Sequence, residues 1–414
     1  MNSRERVMAA LNHQQPDRVA IDFGGHRSSG ISAIAYARLK KALGISGGDV
    51  YVYDIPQQLA IVEPEVLDVL QVDTIEMGRG FLLEENDWKA WALPDGTPCK
   101  IPYYINLEKE GDDTFAFSKE GVKLAVQKKD CLYFEQCYYP MADRPFGADD
   151  FADVVAALPN NMWCGLVSPG GHLPFTKDGL KELALGAKAL RQSTDRAIIG
   201  LFGGNLFEVP QFLYGMDKYL MYMGLYPDLC IKLSELLCDH YMGCMESYLG
   251  AVGPYIDIIL FGDDFGGQTG PLISPSMYRE FYKPYQRRMW TRAKELADVK
   301  VLLHSCGGIE PLLGDFIEAG LDAVNPVQIT CDGMDAGELK KRYGDRLTLW
   351  GGGCDTRDVL GNQSPVDIRK HVKEQLSIMN PGGGFVFQQV HNVMANVPAE
   401  NIIAMFGAVN NDKL

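Results

Sequence analysis

The sequence lacks an excess of positive charge. Its 414 residues include 39 Lys and Arg against 54 Asp and Glu, which gives a formal net charge of -15. The basic residues form no cluster that would override this field. A negative field repels nucleic-acid phosphates and anionic lipid surfaces. We therefore expect no nucleic-acid partner and no role at a membrane surface.

Long apolar runs are also missing. No segment approaches the roughly 20 apolar residues that span a bilayer. The first residues, MNSRERVMAALNHQQPDR, lack the apolar core and small-residue cleavage site of a secretory signal. These absences predict a cytoplasmic protein. Ten cysteines in a chain of this length are not a disulfide scaffold, and in a reducing compartment most serve as small buried hydrophobes.

The sequence has no internal repeat and no Ser- or Gly-rich linker, which predicts one domain over residues 1–414. Short apolar runs alternate with amphipathic helical stretches, a pattern typical of βαβ units around a parallel sheet. The runs lie at 18–24, 72–77, 196–202, 256–261, 299–305, 321–325, 346–351 and 384–390. Helices are predicted at 3–12, 33–43, 64–70, 178–192, as a pair within 216–250, and at 277–297, 308–319, 335–343, 365–379 and 398–409. Eight such units predict an α/β fold, the closed (β/α)8 TIM barrel.

Segment 81–140 breaks this alternation. It contains Trp88, Trp91 and the turn sequence Pro94-Asp95-Gly96. Such composition favours antiparallel strands joined by tight turns. We interpret the segment as antiparallel hairpins inserted after the second barrel strand.

Polar residues follow the predicted strands, and in a TIM barrel the loops at these positions build the active site. In chain order these residues are Arg79, Asn205, Glu208, Asp263, Asp264, Gln268, His304, Cys306, Asn325, Cys354, His391 and Asn392. They are scattered in the sequence but should converge on one mouth of the barrel.

His304 and Cys306 are the strongest candidates for a pair of metal ligands. Residues i and i+2 of an extended strand point to the same side, so an imidazole and a thiolate can reach one ion. A mixed His/Cys set suits zinc better than magnesium or calcium, which prefer oxygen ligands. Cys354 could supply a second thiolate, and His391 competes with it as third or fourth ligand. The alternative is a buried histidine and two buried cysteines without a metal.

Asp263, Asp264, Glu208 and His391 are the candidates for acid or base chemistry. Each Asp could instead cap the turn that follows it, which is the commoner use of a single Asp in a loop. His391 could equally be a hydrogen-bonding histidine before the last helix. We predict that five further polar residues contact the substrate: Arg79, Asn205, Gln268, Asn325 and Asn392.

Nearly end to end, the chain resembles the uroporphyrinogen decarboxylase superfamily, and within it the corrinoid-linked methyltransferase branch. The resemblance is carried by SRERVMAALNHQQPDRVAIDFGG, DIILFGDDFGGQTGPLISPSMYREFYKPYQRRM, VLLHSCGGIEPLL, LWGGGCDTRDVL and FVFQQVHNVMANVPAENI. The decarboxylases carry an arginine-rich segment after strand one and an Asp after strand two, and both are missing here. The zinc methyltransferases carry a His-x-Cys after strand five, which His304 and Cys306 match.

The resemblance implies a methyl transfer between a small molecule and the cobalt of a separate corrinoid protein, with zinc as Lewis acid. The third zinc ligand in the family is commonly a Cys near the end of the barrel, where this chain has Val390-His391. We therefore favour Cys354 as third ligand, with His391 second. The insertion 81–140 is expected to line the face on which the corrinoid protein docks, and the chain could also form a homodimer.

The small molecule is predicted to be a methoxylated aromatic that undergoes O-demethylation. The basis is a group of aromatic residues near the expected mouth: Phe81, Trp88, Tyr103, Phe202, Phe207, Phe265 and Trp350. Core packing is the alternative explanation for most of them. The alternative functions are a decarboxylase of a tetrapyrrole or other small carboxylic acid and a corrinoid carrier. The cobalt-binding pattern Asp-x-His-x-x-Gly is absent from the sequence, which disfavours the carrier.

Overall fold

Eight parallel strands form the centre of the chain in the computed structural model, which describes residues 1–411. In chain order they are β1 (Ala20–Ile21), β2 (Thr74–Glu76), β3 (Ala197–Gly203), β4 (Ile258–Gly262), β5 (Lys300–His304), β6 (Ala323–Asn325), β7 (Thr348–Trp350) and β8 (Phe385–Phe387). From β2 to β8 each strand pairs with the next in sequence, and β1 pairs with β8. All eight predicted strands are present, and only residues 412–414 of the predicted domain lie outside the described residues.

One hydrogen bond and one buried carboxylate close the sheet into a barrel between β1 and β2. The Asp73 amide donates to the Ile21 carbonyl at 2.8 Å, and the Ile21 amide donates to Asp73 Oδ2 at 3.0 Å. Arg6 and Arg18 also contact the Asp73 carboxylate, so its buried charge is paired. The predicted TIM barrel is confirmed.

The first helix, Ser3–Leu11, closes the amino-terminal end of the barrel. Its Val7, Ala10 and Leu11 pack on the apolar interior of the strands. The Gly384 amide, just before β8, donates to the Ala10 carbonyl. Because this end is covered, the strand ends that remain for a site are the carboxyl ends, where the polar residues lie.

Helices surround the barrel. The longer ones are Ala33–Ala42, Lys177–Ser193, Met216–Leu225, Pro227–Val252, Lys283–Leu296, Glu310–Ala319, Ala336–Tyr343, Pro365–Met379 and Ala399–Val409. Shorter helices are Pro64–Val69, Val154–Ala157, Met162–Gly165, Glu208–Tyr214 and Pro275–Phe281. The predicted helix 277–297 is divided at Tyr282, because Pro284 lacks the amide that a continuous helix needs.

The insertion consists of antiparallel strands, as predicted. One hairpin pairs Trp88–Ala92 with Pro98–Pro102. The strands Asn106–Glu110, Asp113–Phe117, Lys123–Gln127 and Glu135–Gln136 form a second antiparallel sheet. Two further small hairpins, Val52–Asp54 with Leu59–Ala60 and Gly266–Gly267 with Gly270–Pro271, were not predicted. Within residues 1–411, none of the helices combines the length and apolar character that a bilayer crossing requires.

Candidate metal centre and substrate cavity

A histidine and a cysteine meet at the carboxyl end of β5. His304 is the last residue of that strand, and Cys306 lies two residues further on. The His304 Nε2 and Cys306 Sγ atoms are 3.4 Å apart. The structure therefore brings this predicted pair together at the mouth of the barrel.

Close backbone packing and a carboxylate hold Cys306 in place. Gly307 has a φ of 91°, and a Cβ there would lie 2.3 Å from the Gly266 carbonyl carbon. Only glycine adopts this conformation without strain and fits this gap. The Cys306 amide donates to Asp264 Oδ1 at 2.8 Å. The cysteine is thus fixed from both sides.

His391, after β8, is the third member of the cluster. Its ring centroid lies 5.7 Å from that of His304. Ligand atoms of His304, Cys306 and His391 all lie within 4.8 Å of one another. Burial, together with the neighbouring His304 and His26, lowers the pKa of His391 to about 3. The ring is therefore neutral at physiological pH, which is the form that binds a metal.

Of these three groups, only the Cys306 thiol must lose a proton to bind a metal, because a neutral imidazole ligates through its unprotonated nitrogen. The Asn392 amide donates to His391 Nδ1 at 2.8 Å, which places the proton of the neutral ring on Nε2, and ligation through Nε2 would require the other tautomer. Burial raises the pKa of the Cys306 thiol well above its usual range, and the carboxylates of Asp264 and Glu208 raise it further. Loading of the cluster would thus release the thiol proton.

Cys354, the preferred third ligand, does not belong to this cluster, whereas His391, the second choice, does. Cys354 is fully buried in the core between the strands and the outer helices. Its backbone bridges to Gln389, and its thiol donates to the Asp355 carbonyl. Burial raises the pKa of this thiol. Cys354 is a small buried hydrophobe, the role that the sequence suggested for most of the cysteines.

The adjacent acids Asp263 and Asp264 have separate roles. The Asp263 carboxylate is buried and accepts from the amides of Leu206, Phe207 and Glu208 at 2.8–3.0 Å. It therefore caps the start of the helix Glu208–Tyr214. Capping was the alternative role that the sequence analysis gave for each Asp. Burial raises the pKa of Asp263 to about 7, although these three amides lower it. Asp264 instead lines the cavity, with Oδ1 3.5 Å from His304 Nε2.

Replacing Asp263 by alanine is expected to lower the free energy of unfolding by about 2–4 kcal/mol, because three buried amides lose their acceptor. Asp335→Ala is the matched control. Asp335 caps the helix Ala336–Tyr343 through one exposed amide contact, and its loss should cost about 1 kcal/mol. Urea unfolding of both variants measures the difference. Equal losses would contradict this role for Asp263.

Glu208 faces the cavity from the first turn of its helix. Asn205 Nδ2 donates to Glu208 Oε2 at 2.7 Å. Burial raises the pKa of Glu208 well above its usual range, and the carboxylates of Asp264 and Asp263 raise it further. The protonated form of Glu208 is therefore favoured, and Glu208 lines the cavity, which Asp263 does not.

A cavity of about 630 Å³ opens beside the cluster. Its volume lies within the range of small-molecule sites. The polar residues of its wall include Arg27, Gln57, Glu76, Ser168, Asn205, Glu208, Asp264, His304 and His391. The aromatic ones are Trp163, Phe175, Phe202, Phe212, Tyr241, Tyr248 and Phe261. The site combines a mostly apolar wall with a few polar groups.

Of the residues predicted to contact the substrate, Asn205 lines the cavity and the other four do not. Arg79 is paired with Glu76 at 3.3 Å, and its guanidinium lies over the Tyr53 ring. Gln268 is exposed on a small hairpin, where it accepts from Arg357. Asn392 is buried and accepts from the Gly30 amide. Asn325 is buried against His304.

Among the predicted aromatic residues, Phe202 lines the cavity, whereas Phe207, Phe265 and Trp350 are fully buried core residues. Arg27 is the residue that sequence reasoning missed. It follows β1 and lines the cavity, and its Nη2 donates to Ser168 Oγ at 3.0 Å. Its Nε lies 3.0 Å from the buried Asp54 carboxylate. Asp54 and Ser168 are distant from Arg27 in the sequence, so no local pattern marks this site.

Residues 173–411 match the family model of "Uroporphyrinogen decarboxylase (URO-D)". A uroporphyrinogen decarboxylase of Coxiella burnetii is 29% identical over 158 residues, which is 37% of this chain and 40% of that protein. One of Legionella pneumophila strain Lens is 29% identical over 181 residues, 43% of this chain and 48% of that protein. The chain thus matches less than half the length of these curated relatives.

A solved structure has the same fold over nearly the whole chain. The "methyltransferase from Methanosarcina mazei" superposes with a TM-score of 0.58 at 16% sequence identity, and the match covers 99% of both chains. At this identity the likeness establishes the fold.

Proposed function

Because the chain belongs to the uroporphyrinogen decarboxylase family, we propose that it is a zinc-dependent methyltransferase that moves a methyl group between a small molecule and the cobalt of a separate corrinoid protein. The observation that carries this proposal is the cluster of His304, Cys306 and His391 beside the cavity. The methyltransferase from Methanosarcina mazei, which has the same fold, supports it.

The donor set fits zinc. Two neutral imidazoles and one thiol are ligands that zinc accepts and that magnesium and calcium avoid. His304 Nε2 and Cys306 Sγ are already 3.4 Å apart, the spacing that two ligands of one tetrahedral ion require. When bound, zinc supplies a positive charge that stabilises the oxygen from which the methyl group departs.

Residues of the chain supply the proton transfer and hold the reacting groups in position. In the forward transfer the methyl carbon loses its bond to the substrate oxygen and gains one to cobalt, so the oxygen keeps the electron pair and needs a proton. Glu208 in its protonated form is placed to donate that proton, and Asn205 orients its carboxyl group. Asp264 holds Cys306 through the backbone amide.

We propose a methoxylated aromatic compound as the methyl donor. Aromatic side chains such as Phe202, Phe212 and Tyr248 line the cavity and can pack against an aromatic ring. Arg27 carries the one permanent positive charge among the described residues of the cavity wall. Its guanidinium would bind a polar substituent at the far end of the substrate.

Replacing Arg27 by lysine is expected to raise KM about 10-fold or more with a smaller change in kcat. Lysine preserves the positive charge beside Asp54 but loses the planar fork of donors. A charged hydrogen bond of about 1.5–3 kcal/mol accounts for this size of effect. Initial rates over a range of donor concentrations measure the two constants. A change in kcat alone would place Arg27 outside the substrate site.

The corrinoid protein is proposed to dock on the insertion 81–140. Tyr104 of the insertion donates to the Val167 carbonyl at 3.0 Å, and its ring stacks on His172. Val167 belongs to the cavity wall. The insertion therefore lies directly beside the cavity, where a partner must present its cobalt.

A donor screen with a corrinoid protein present tests the proposed function. The purified, zinc-loaded chain is mixed with cobalt(I) corrinoid protein and methoxylated aromatic compounds, and cobalt methylation is followed by absorbance. Methylation should require the chain, the donor and zinc together. Full activity after complete removal of metal would overturn the proposal.

A decarboxylase is the second candidate, because the curated relatives carry that name. Arg27 in the cavity could bind a carboxylate of such a substrate. Release of carbon dioxide from a tetrapyrrole or other small carboxylic acid, unaffected by metal removal, would favour it. The three-ligand cluster has no role in that reaction.

A further inference from the structure

The side-chain amide of Asn325 has a fixed orientation. Asn325 is the last residue of β6, is fully buried and pairs in register with His304. Its Nδ2 lies 3.2 Å from the Trp350 carbonyl oxygen and 2.8 Å from Gln388 Oε1. A carbonyl oxygen can only accept, so the nitrogen of the amide must face Trp350. The oxygen of the amide therefore faces the opposite way.

The Asn325 oxygen receives two hydrogen bonds. Ser28 Oγ lies at 2.6 Å and His304 Nδ1 at 3.0 Å from Asn325 Oδ1. Because Oδ1 has no hydrogen to give, both partners must donate. The neutral His304 ring thus carries its proton on Nδ1, and its Nε2 lone pair faces Cys306 Sγ.

The chain of hydrogen bonds continues from Ser28 through His26 to the buried Asp22 carboxylate. Since Ser28 donates to Asn325, its oxygen accepts from His26 Nδ1 at 3.0 Å. His26 Nε2 lies 3.1 Å from Asp22 Oδ2, and the Trp350 indole also donates to this oxygen. Gln388 Nε2 donates to the Ser28 carbonyl at 3.1 Å. Each polar group next to Asn325 is therefore held by another one.

We propose that Asn325 is a positioning residue that holds His304 as the Nδ1–H tautomer, so that Nε2 is free for a metal at Cys306. Ser28 and Gln388 support Asn325 in this orientation. In metal sites a ligating histidine commonly donates its other ring N–H to a partner of this kind. The inference rests on the proposed metal site for its purpose, but the tautomer itself does not depend on metal.

The first experiment is nitrogen-15 NMR of histidine-labelled, metal-free full-length chain. His304 is identified by the loss of its signals in His304→Gln. We expect a protonated Nδ1 and an unprotonated Nε2 in the wild type. In Asn325→Ala the preference for Nδ1–H should be lost. A wild-type His304 that is protonated on Nε2 would overturn the proposal.

The second experiment measures zinc affinity by competition with a chelating dye. Asn325→Ala should weaken binding about 10–100-fold. Asn325→Asp keeps an acceptor for His304 Nδ1 but loses the donor to Trp350, so it should bind zinc within a few-fold of wild type while its melting temperature falls. Asn401→Ala, which removes another buried amide on the last helix, is the control and should keep wild-type affinity.

The outcomes distinguish the role of Asn325 from the existence of the proposed metal site. Zinc binding by Asn325→Ala as tight as that of wild type would overturn the role of Asn325. A wild-type chain with His304 in the expected tautomer but without zinc affinity would overturn the metal site and leave the tautomer assignment standing. If Asn325→Ala does not fold, Asn325→Asp and Ser28→Ala carry the comparison, and Ser28→Ala should weaken zinc binding by a smaller factor than 10–100-fold.

Discussion

Replacing Cys306 by alanine is expected to remove zinc from the purified protein and to abolish methyl transfer. Cys306 supplies the one sulfur of the described cluster, and its Sγ lies 3.4 Å from His304 Nε2. Two imidazoles that remain without the thiolate bind zinc far more weakly, by at least about 100-fold, because even a partner outside the ligand set contributes 10–100-fold. Metal analysis of the purified variant and cobalt methylation measure the two effects.

Cys354→Ala is the matched control for this prediction. Cys354 is also buried and also follows a barrel strand, but its side chain packs in the outer core. This variant should keep one zinc per chain and wild-type turnover, with some loss of stability from the small cavity. Zinc retained in Cys306→Ala and lost in Cys354→Ala would reverse the assignment of the ligands.

Replacing Glu208 by glutamine is expected to lower kcat by about 100- to 10,000-fold, the range that general acid catalysis contributes. Glutamine keeps the size of the side chain, and it can still contact Asn205, but it has no acidic proton. Zinc content should be unchanged, because Glu208 is not one of the clustered ligands. A kcat within a few-fold of wild type would remove Glu208 from the proton transfer.

The raised pKa of Glu208 predicts the direction in which activity changes with pH. Burial and the nearby Asp264 and Asp263 raise its pKa well above the usual range. A group that acts as an acid works in its protonated form, so activity should decline as pH rises through the raised pKa. The residual activity of Glu208→Gln should lack this decline. An alkaline limb that is identical in both proteins would assign it to another group.

Periodicity was sufficient to predict the barrel, because strands buried on both faces leave continuous apolar runs separated by amphipathic helices. All eight strands and the hairpin insertion are present. The boundary at Tyr282 was missed, although Pro284 marks it in the sequence. The helix Glu208–Tyr214 was missed because its start is held by Asp263, which directly follows the next barrel strand.

The site was predictable only where spacing along one strand decides it. His304 and Cys306 are two residues apart at one strand end, so their common direction follows from local geometry. The choice between Cys354 and His391 depends on which side of the barrel wall each residue faces. That direction is set by pairing with neighbouring strands, such as the bridge from Cys354 to Gln389. The hydrogen bonds of Asn325 likewise join residues from separate strands.

X-ray absorption at the zinc edge of the purified, full-length protein tests the central claim most directly. The account predicts about one zinc per chain, coordinated by one sulfur at about 2.3 Å and two imidazole nitrogens at about 2.0–2.1 Å. The sulfur signal should disappear in Cys306→Ala and persist in Cys354→Ala. A protein that binds no zinc, or a zinc ion with two sulfur ligands, would contradict the assignment of His304, Cys306 and His391 as the metal centre.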